Sequence, residues 1–156
     1  MKNKIPFKIL LILIGTFIML QFVRPARNMG ETPVNGDTLS IQTPAEINTI
    51  LQTSCYDCHS NHTNYPWYTN IQPIGLWMQH HVDEGKEELN FSIFNTYSAK
   101  RKKHKLKEIT EEVAEHEMPL SSYTMIHKET EFSTEQISTL TKWAAAEMEK
   151  IIEPGH

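Results

Sequence analysis

The chain has 156 residues, 39% hydrophobic and 22% charged, enough for one domain with an extension but too few for two full domains. Its two cysteines lie three residues apart, which excludes a disulfide scaffold because no second pair exists. Residues 31–156 hold 10 Lys and Arg against 19 Asp and Glu, and this formal charge of −9 argues against nucleic acid as a partner.

An apolar run from Ile9 to Val23 dominates the N-terminus. Three lysines precede it, Arg24-Pro25 ends it, and no small-residue cleavage site follows. With Ile5 to Phe7 the stretch approaches the roughly 20 residues that a membrane-spanning helix needs. We therefore expect residues 1–27 to form an uncleaved signal anchor, a transmembrane helix with its N-terminus in the cytoplasm.

A polar segment over residues 28–42 follows the apolar run. Asn28, Gly30, Pro33, Asn35 and Gly36 interrupt any regular spacing in it. We expect this segment to be a linker, with the folded domain occupying residues 43–153.

The folded part is predicted to be helical, because strand patterns are nearly absent. The first helix begins at the capping sequence Thr43-Pro44-Ala45-Glu46 and runs into Cys55. Further helices are predicted over 76–89, 106–116 and 133–152, the last with Ser133 and Gln136 as a capping box. The predicted fold class is all-α, a small helical domain with long loops.

The segment Cys55-Tyr56-Asp57-Cys58-His59 has the pattern C-x-x-C-H. Two thiols at this spacing on a tight turn reach the two vinyl groups along one edge of a porphyrin. His59 then lies under the iron as the proximal ligand. The motif predicts one covalently attached haem c.

Two other uses of the cysteine pair fit the sequence less well. A thioredoxin-like dithiol follows a strand in a βαβ unit, whereas a capped helix precedes Cys55 here. A zinc site needs four ligands, and the cysteines supply only two.

The haem motif also predicts a location and a kind of partner. Because haem c is attached on the outer side of the bacterial inner membrane, we expect residues 25–156 to lie in the periplasm. The protein would then be a single-pass protein of the bacterial inner membrane, held there by its N-terminal helix. Redox proteins are the expected partners.

The sixth iron ligand is open to several interpretations. Met118 ranks first, because Pro119 forces the chain to turn there and frees the thioether from helix packing. Met125 is a weaker candidate in the same loop. His80 or His81 ranks second, and since adjacent helical residues point about 100° apart, only one of them faces the haem. An open site ranks third.

Four aromatic side chains follow soon after the motif: Tyr65, Trp67, Tyr68 and Trp77. We predict that they line the haem edge, with phenol and indole donors bonding the propionates. Ordinary core packing is the alternative, and the two roles are compatible. No catalytic triad, phosphate-binding glycine loop or paired catalytic carboxylates are evident.

Several longer motifs accompany the cysteine pair. They are Cys55 to Asn61, Tyr65-Pro66-Trp67-Tyr68, His80-His81-Val82 with Glu84-Gly85, Leu89-Asn90-Phe91-Ser92, Glu117-Met118-Pro119-Leu120 with Tyr123 and His127, and Gln21-Phe22-Val23-Arg24-Pro25. Together, over roughly residues 20–150, they resemble the bacterial haem-binding domain family, small anchored monohaem proteins related to cytochromes c. The resemblance implies a cytochrome c-like domain with covalent haem, without naming a reaction. By similarity, Met118 matches the Met-Pro segment that carries the distal ligand in many cytochromes c.

Two functions from different classes follow from these residues. An iron ligated by His59 and Met118 has both axial positions filled, which predicts one-electron transfer. A haem-based sensor or a peroxidase-like enzyme would instead have an open or displaceable sixth site, with His80, His81 or His127 beside it. Because no acid/base set is evident, the sequence favours an electron carrier over an enzyme.

Overall fold

A computed structural model describes residues 6–33 and 37–152, and these residues contain helices and no β-strand. The helices are α1 (Phe7–Leu20), α2 (Ala45–Ser54), α3 (Tyr56–His59), α4 (Ile74–Glu88), α5 (Ala99–Ala114), α6 (Ser121–Thr124) and α7 (Thr134–Lys150). Short 3-10 turns span Trp67–Asn70, Phe91–Thr96 and Lys128–Thr130. The prediction of an all-helical domain is confirmed for this part of the chain. Ile5 and the first two lysines of the predicted anchor, Asn35 and Gly36 of the predicted linker, and position 153 lie outside it.

The N-terminal helix is shorter than predicted. α1 has 14 residues, and at 1.5 Å per residue it is about 21 Å long, against a hydrocarbon core of about 30 Å. Across residues 6–33 and 37–152, no helix combines the length and apolarity needed to cross a bilayer. The predictions of a transmembrane helix within residues 1–27 and of a single-pass protein of the inner membrane are therefore wrong.

The residue directly after α1, Gln21, forms hydrogen bonds with the rest of the domain. Gln21 donates from Nε2 to the carbonyl oxygen of Gln72 (3.1 Å), and Gln72 N donates to Gln21 Oε1 (3.0 Å). Two long-range hydrogen bonds thus hold the end of α1 against the segment that precedes α4.

The described ends of the predicted linker also lie against the domain. Asn28 is buried and donates from Nδ2 to Ser60 O (2.9 Å) and to Thr63 Oγ1 (2.9 Å). At the other end, Ile41 belongs to the hydrophobic core, and Ser40 O accepts from the Asn95 side chain at 2.6 Å. The boundaries at residues 27 and 42 stay predictions.

The core is built mainly by α2, α5 and α7 with the turn after α4. Leu51, Leu106, Leu140 and Ala144 are fully buried in it, and Phe91 packs among them. α7 begins with the predicted capping box, in which Ser133 Oγ accepts from Gln136 N and Gln136 Oε1 accepts from Ser133 N. Burial of these apolar side chains is the principal force that holds the three helices together.

α5 begins seven residues earlier than predicted. Its cap is Ser98, whose side chain accepts from Arg101 N, and the run of lysines and Arg101 continues the helix from Ala99. Lysine and arginine are good helix formers, so a basic run without apolar residues still forms a helix when its next turns are packed. Leu106, Ile109 and Val113 supply that packing.

Candidate functional site

The cysteine motif lies on a helical turn that breaks away from α2. The break is at Cys55, whose φ of −123° departs from helical values while its N–H still bonds to Leu51 O at 2.9 Å. The carbonyl oxygen of Cys55 then accepts from the N–H groups of Cys58 (3.2 Å) and His59 (2.9 Å). Residues spaced by three and four on such a turn share one face. From this spacing we expect both thiols and the imidazole to lie on the same side of the turn.

The His59 ring is fixed by a hydrogen bond to backbone. Its Nδ1 lies 3.0 Å from the carbonyl oxygen of Leu89, which can only accept a hydrogen bond, so Nδ1 carries the proton and donates it to this bond. Burial lowers the pKa of the imidazole, and the nearby carbonyl oxygens of Leu89 and Gly85 oppose that shift only in part. His59 is thus held neutral, and Nε2 keeps its lone pair for an iron atom.

Gly85 permits α4 to approach the motif closely. A Cβ at this position would lie 2.9 Å from Cys58 O and 3.1 Å from Cys58 Cβ, closer than side chains tolerate. The absence of a side chain at Gly85 therefore allows α4 to pack directly against the backbone of α3.

The thiols lack the lowered pKa of a reactive dithiol. Burial, with the neighbouring Cys58 charge, raises the pKa of Cys55 to about 12. Burial and the charge of Asp57 raise the pKa of Cys58 to about 11. A redox-active dithiol needs a lowered thiol pKa, so these shifts run against the thioredoxin-like interpretation.

Two cavities meet at the motif. The α5 cavity, of about 320 Å³, is lined by α5 side chains together with Leu51, Cys55, Phe91, Phe132 and Leu140. The α4 cavity, of about 500 Å³, is lined by α4 side chains together with Asp57, Cys58 and Tyr123. The two share Ser54, His59, Glu88, Met118 and Pro119, so they adjoin each other, and we call the pair the cleft. One cysteine borders each half, and His59 borders both.

Met118 is carried to this junction by the end of α5. His116 adopts a positive φ of 61°, a conformation typical of the residue that terminates a helix. The N–H groups of Glu117 and Met118 then both donate to Glu112 O, at 2.9 and 3.1 Å. This turn places Met118 beside both cavities, where it and His59 are candidates for the two axial positions of one iron.

The other predicted sixth ligands are placed differently. His81 lines the α4 cavity and packs against the Trp77 ring at 4.5 Å. His80 is exposed and lies 3.3 Å from Glu84 Oε1. Met125 is exposed at the surface and lines neither cavity.

The four predicted haem-edge aromatics lie outside the cleft lining. Trp67 is exposed, and Trp77 is half-exposed beside His81. Tyr65 donates to Gln79 Oε1 at 2.7 Å, and Tyr68 forms a short hydrogen bond with His127 Nε2. Their role at the haem edge stays a prediction, while the structure gives the two tyrosines other partners.

The cleft also contains a buried lysine that was not singled out from the sequence. Lys105 lines the α5 cavity with its side chain only 9% exposed, and its Nζ contacts Glu88 (2.8 Å) and Glu108 (2.7 Å). Its position four residues before Ile109 and eight before Val113, on the apolar face of α5, is the signal that could have identified it.

Tyr123 is a second polar side chain of the cleft, and it contacts the cysteine motif. It lines the α4 cavity and donates from its hydroxyl to Asp57 Oδ2 at 2.7 Å. Burial first, and then the Asp57 charge, raise the pKa of this phenol, so it stays a proton donor. Asp57 lies inside the motif, so the bond ties the loop after Met118 to the cysteine turn.

The donor set of the cleft suits a haem better than a free metal ion. In the part of the chain that the structure describes, no group of three or more His, Cys, Asp or Glu side chains is placed to hold a metal ion. An imidazole and a thioether at one junction are instead the axial pair of many haem irons, and two thiols beside the imidazole match the porphyrin edge.

Comparison with known proteins gives one match. The model of the family described as "Haem-binding domain" matches residues 15–146. No curated protein and no solved structure matches the chain.

Proposed function

This chain belongs to the haem-binding domain family, and from that premise we propose that it carries one covalent haem c and transfers single electrons. Haem binding follows from the family. Covalent attachment, the ligand set and electron transfer are the proposal.

The arrangement of the cysteine turn carries the proposal. Cys55, Cys58 and His59 share one face of a turn, and both halves of the cleft border that turn. His59 Nδ1 is engaged by Leu89 O at 3.0 Å, which leaves Nε2 as the ring atom available to iron. The two thiols would form thioether bonds along the same porphyrin edge.

The bound haem would supply an iron that cycles between the ferric and ferrous states by gaining and losing one electron. The chain's own residues hold and shield it. Cys55 and Cys58 would hold the haem through thioether bonds, and the His59 imidazole and the Met118 thioether would be the ligands of its iron. The apolar side chains of the α5 cavity, such as Leu51 and Leu140, would limit its contact with water. A protein redox partner would deliver and remove the electron.

Two filled axial positions favour electron transfer over substrate chemistry. Thioether ligation raises the reduction potential of a haem relative to a second histidine and leaves no exchangeable position on the iron. Met118 supports this assignment because it borders both halves of the cleft, as His59 does.

A second candidate function is supported by the wall of the α4 cavity. His81 and Tyr123 line this cavity together with Met118. If Met118 is displaceable, the His81 imidazole would offer a hydrogen bond to a small ligand on the iron, while Tyr123, whose O–H donates to Asp57, could accept one. The protein would then be a haem-based sensor or a peroxidase-like enzyme.

The attachment is tested by extraction. Haem should stay with the wild-type chain after denaturation in acid-acetone, and it should be released entirely from the Cys55→Ser, Cys58→Ser double variant. Covalent retention by the double variant would refute thioether attachment.

The sixth ligand is tested by optical spectra of the ferric protein. We expect a low-spin spectrum with the weak near-infrared band of methionine ligation. Met118→Ala should abolish that band and lower the reduction potential, while the matched change Met125→Ala, at an exposed position, should leave both unaltered. A high-spin spectrum that shifts on adding cyanide would favour the sensor or peroxidase function instead.

A further inference from the structure

A third cavity, which we call the arginine pocket, lies beside the start of α4. It has a volume of about 260 Å³, and its lining includes Arg24, Arg27, Tyr65, Asn70, Gln72 and Gln79. It shares no lining residue with the α5 and α4 cavities. A role for it is therefore independent of the haem cleft.

Both guanidinium groups are held by one residue. Arg24 Nη1 donates to the backbone oxygen of Asn70 at 2.8 Å, and Arg27 Nη2 donates to Asn70 Oδ1 at 2.7 Å. The Arg27 guanidinium also lies over the Tyr65 ring, 4.7 Å from its centroid. A guanidinium carries five N–H donors, and these bonds use one from each. The remaining donors belong to two guanidinium groups that line the pocket and are held in place by Asn70.

Among the described residues, no carboxylate compensates the positive charge at the pocket. No Asp or Glu is among the residues that line it, and within residues 6–33 and 37–152 neither Arg24 nor Arg27 forms an ion pair. Two like charges fixed on the same asparagine repel each other. An anion between them would remove that repulsion and gain charge-assisted hydrogen bonds.

The wall of the pocket is rigid. Gln72 is fully buried and pairs reciprocally with Gln21, while its Oε1 accepts from Leu76 N at 2.9 Å. Gly75 packs so closely that a Cβ there would lie 2.1 Å from Thr69 O. Because Gln72 and Gly75 are packed in this way, the wall of the pocket keeps its shape without a ligand. Less conformational entropy is then lost when a ligand binds.

We propose that the arginine pocket binds a phosphate group through Arg24 and Arg27. Two guanidinium groups match the two negative charges of a phosphate dianion, and their planar forks suit its oxygens. A single carboxylate would compensate only one of the two charges. The group is either free inorganic phosphate or the phosphate of an ester such as a lipid headgroup.

The test is calorimetric titration of the full-length, haem-loaded chain at constant ionic strength. The probes are inorganic phosphate, glycerol 3-phosphate and acetate. Saturable binding of either phosphate compound, with acetate much weaker, supports the proposal. Tighter binding of glycerol 3-phosphate identifies an ester as the source, and tighter binding of inorganic phosphate identifies the free ion.

Variants assign the binding to the pocket. Arg24→Gln and Arg27→Gln should each weaken phosphate binding by about tenfold or more, because each loses a charge-assisted contact. Lys100→Gln removes one positive charge from an exposed position of α5 and should leave the affinity unchanged. Thermal unfolding and the haem spectrum verify that each variant is folded, and if one is not, the other arginine carries the test.

Three results would overturn the proposal. The first is that phosphate does not bind saturably to the wild-type chain. The second is that acetate binds as tightly as phosphate. The third is that a folded Arg24→Gln or Arg27→Gln variant binds phosphate as tightly as the wild-type chain does.

Discussion

The two halves of the proposed haem cleft adjoin at His59 and Met118, yet the side chains that line them differ. The α5 cavity is walled by core side chains such as Leu51, Phe91 and Leu140, each almost fully buried. The lining of the α4 cavity has more polar side chains, among them Asp57, His81 and Tyr123, beside apolar ones such as Leu120. The α5 wall therefore stabilises the site mainly by burying apolar side chains, a contribution to the free energy of folding that is large and non-directional. The α4 wall adds hydrogen bonds, each of which contributes less free energy but fixes a direction.

The largest expected effect comes from the apolar wall. Leu140→Ala should lower the free energy of unfolding by about 3 kcal/mol, because it removes a fully buried side chain and enlarges the cavity beside it. Urea denaturation of the haem-loaded chain measures the loss. Leu39→Ala, at a side chain that is 49% exposed, is the matched control and should change stability by less than about 0.5 kcal/mol. Equal losses in both variants would contradict the division between the walls.

The polar wall should show an intermediate effect. Tyr123→Phe removes the hydrogen bond to Asp57 Oδ2 and leaves the ring in place. We expect a loss of about 1.5 kcal/mol, as for a hydrogen bond to a charged acceptor, measured by the same denaturation experiment.

The control for this change is Tyr68→Phe. It removes a hydroxyl bonded to His127 instead of a carboxylate, and it should cost less, about 1 kcal/mol. If Tyr123→Phe lowers the free energy of unfolding no more than Tyr68→Phe does, the charged acceptor Asp57 adds nothing to the strength of the bond.

How far the sequence predicts this molecule depends on how local each feature is. The capping box of α7 and the turn of the cysteine motif involve residues three or four apart, and both are readable from spacing. The end of α1 cannot be predicted from local spacing, because Gln21 there bonds to Gln72, 51 residues away. An apolar run predicts that a helix forms, but it does not predict the residue at which that helix ends in the folded chain.

The same distinction applies within the site. Met118 was identified from the following proline, whereas the structure adds His116, whose positive φ turns the chain, and Glu112, whose carbonyl oxygen closes the turn. The contacts of Lys105 with Glu88 depend on how α5 packs against α4, which no spacing within α5 reveals.

Lys105 is the basic member of a charged group on the wall of the α5 cavity, where Glu88, Glu108 and Glu112 also lie, and its ionisation is coupled to its neighbours. Burial lowers the pKa of its ammonium, but the hydrogen bonds and charges of Glu108 and Glu88 outweigh burial, so the net pKa is raised. The hydrogen bond and charge of Lys105 in turn hold the pKa of Glu88 below its usual range. The stabilisation from a raised lysine pKa is present below its unfolded value and lost as pH rises through the folded one. For Glu88 it is present above the unfolded value and lost as pH falls through the folded one.

The smallest effect we predict is therefore pH-dependent. Lys105→Gln should lower the free energy of unfolding by about 1 kcal/mol at neutral pH, because Glu88 and Glu108 are partly solvated and keep water as a partner. The difference from wild type should shrink below about pH 4 and above about pH 10.5, the ordinary ranges of the two groups. Lys107→Gln, which loses only an exposed pair with Glu111, should stay near wild type throughout. A Lys105→Gln curve parallel to wild type at every pH would mean that the lysine acts in this wall by packing alone, like the leucines around it.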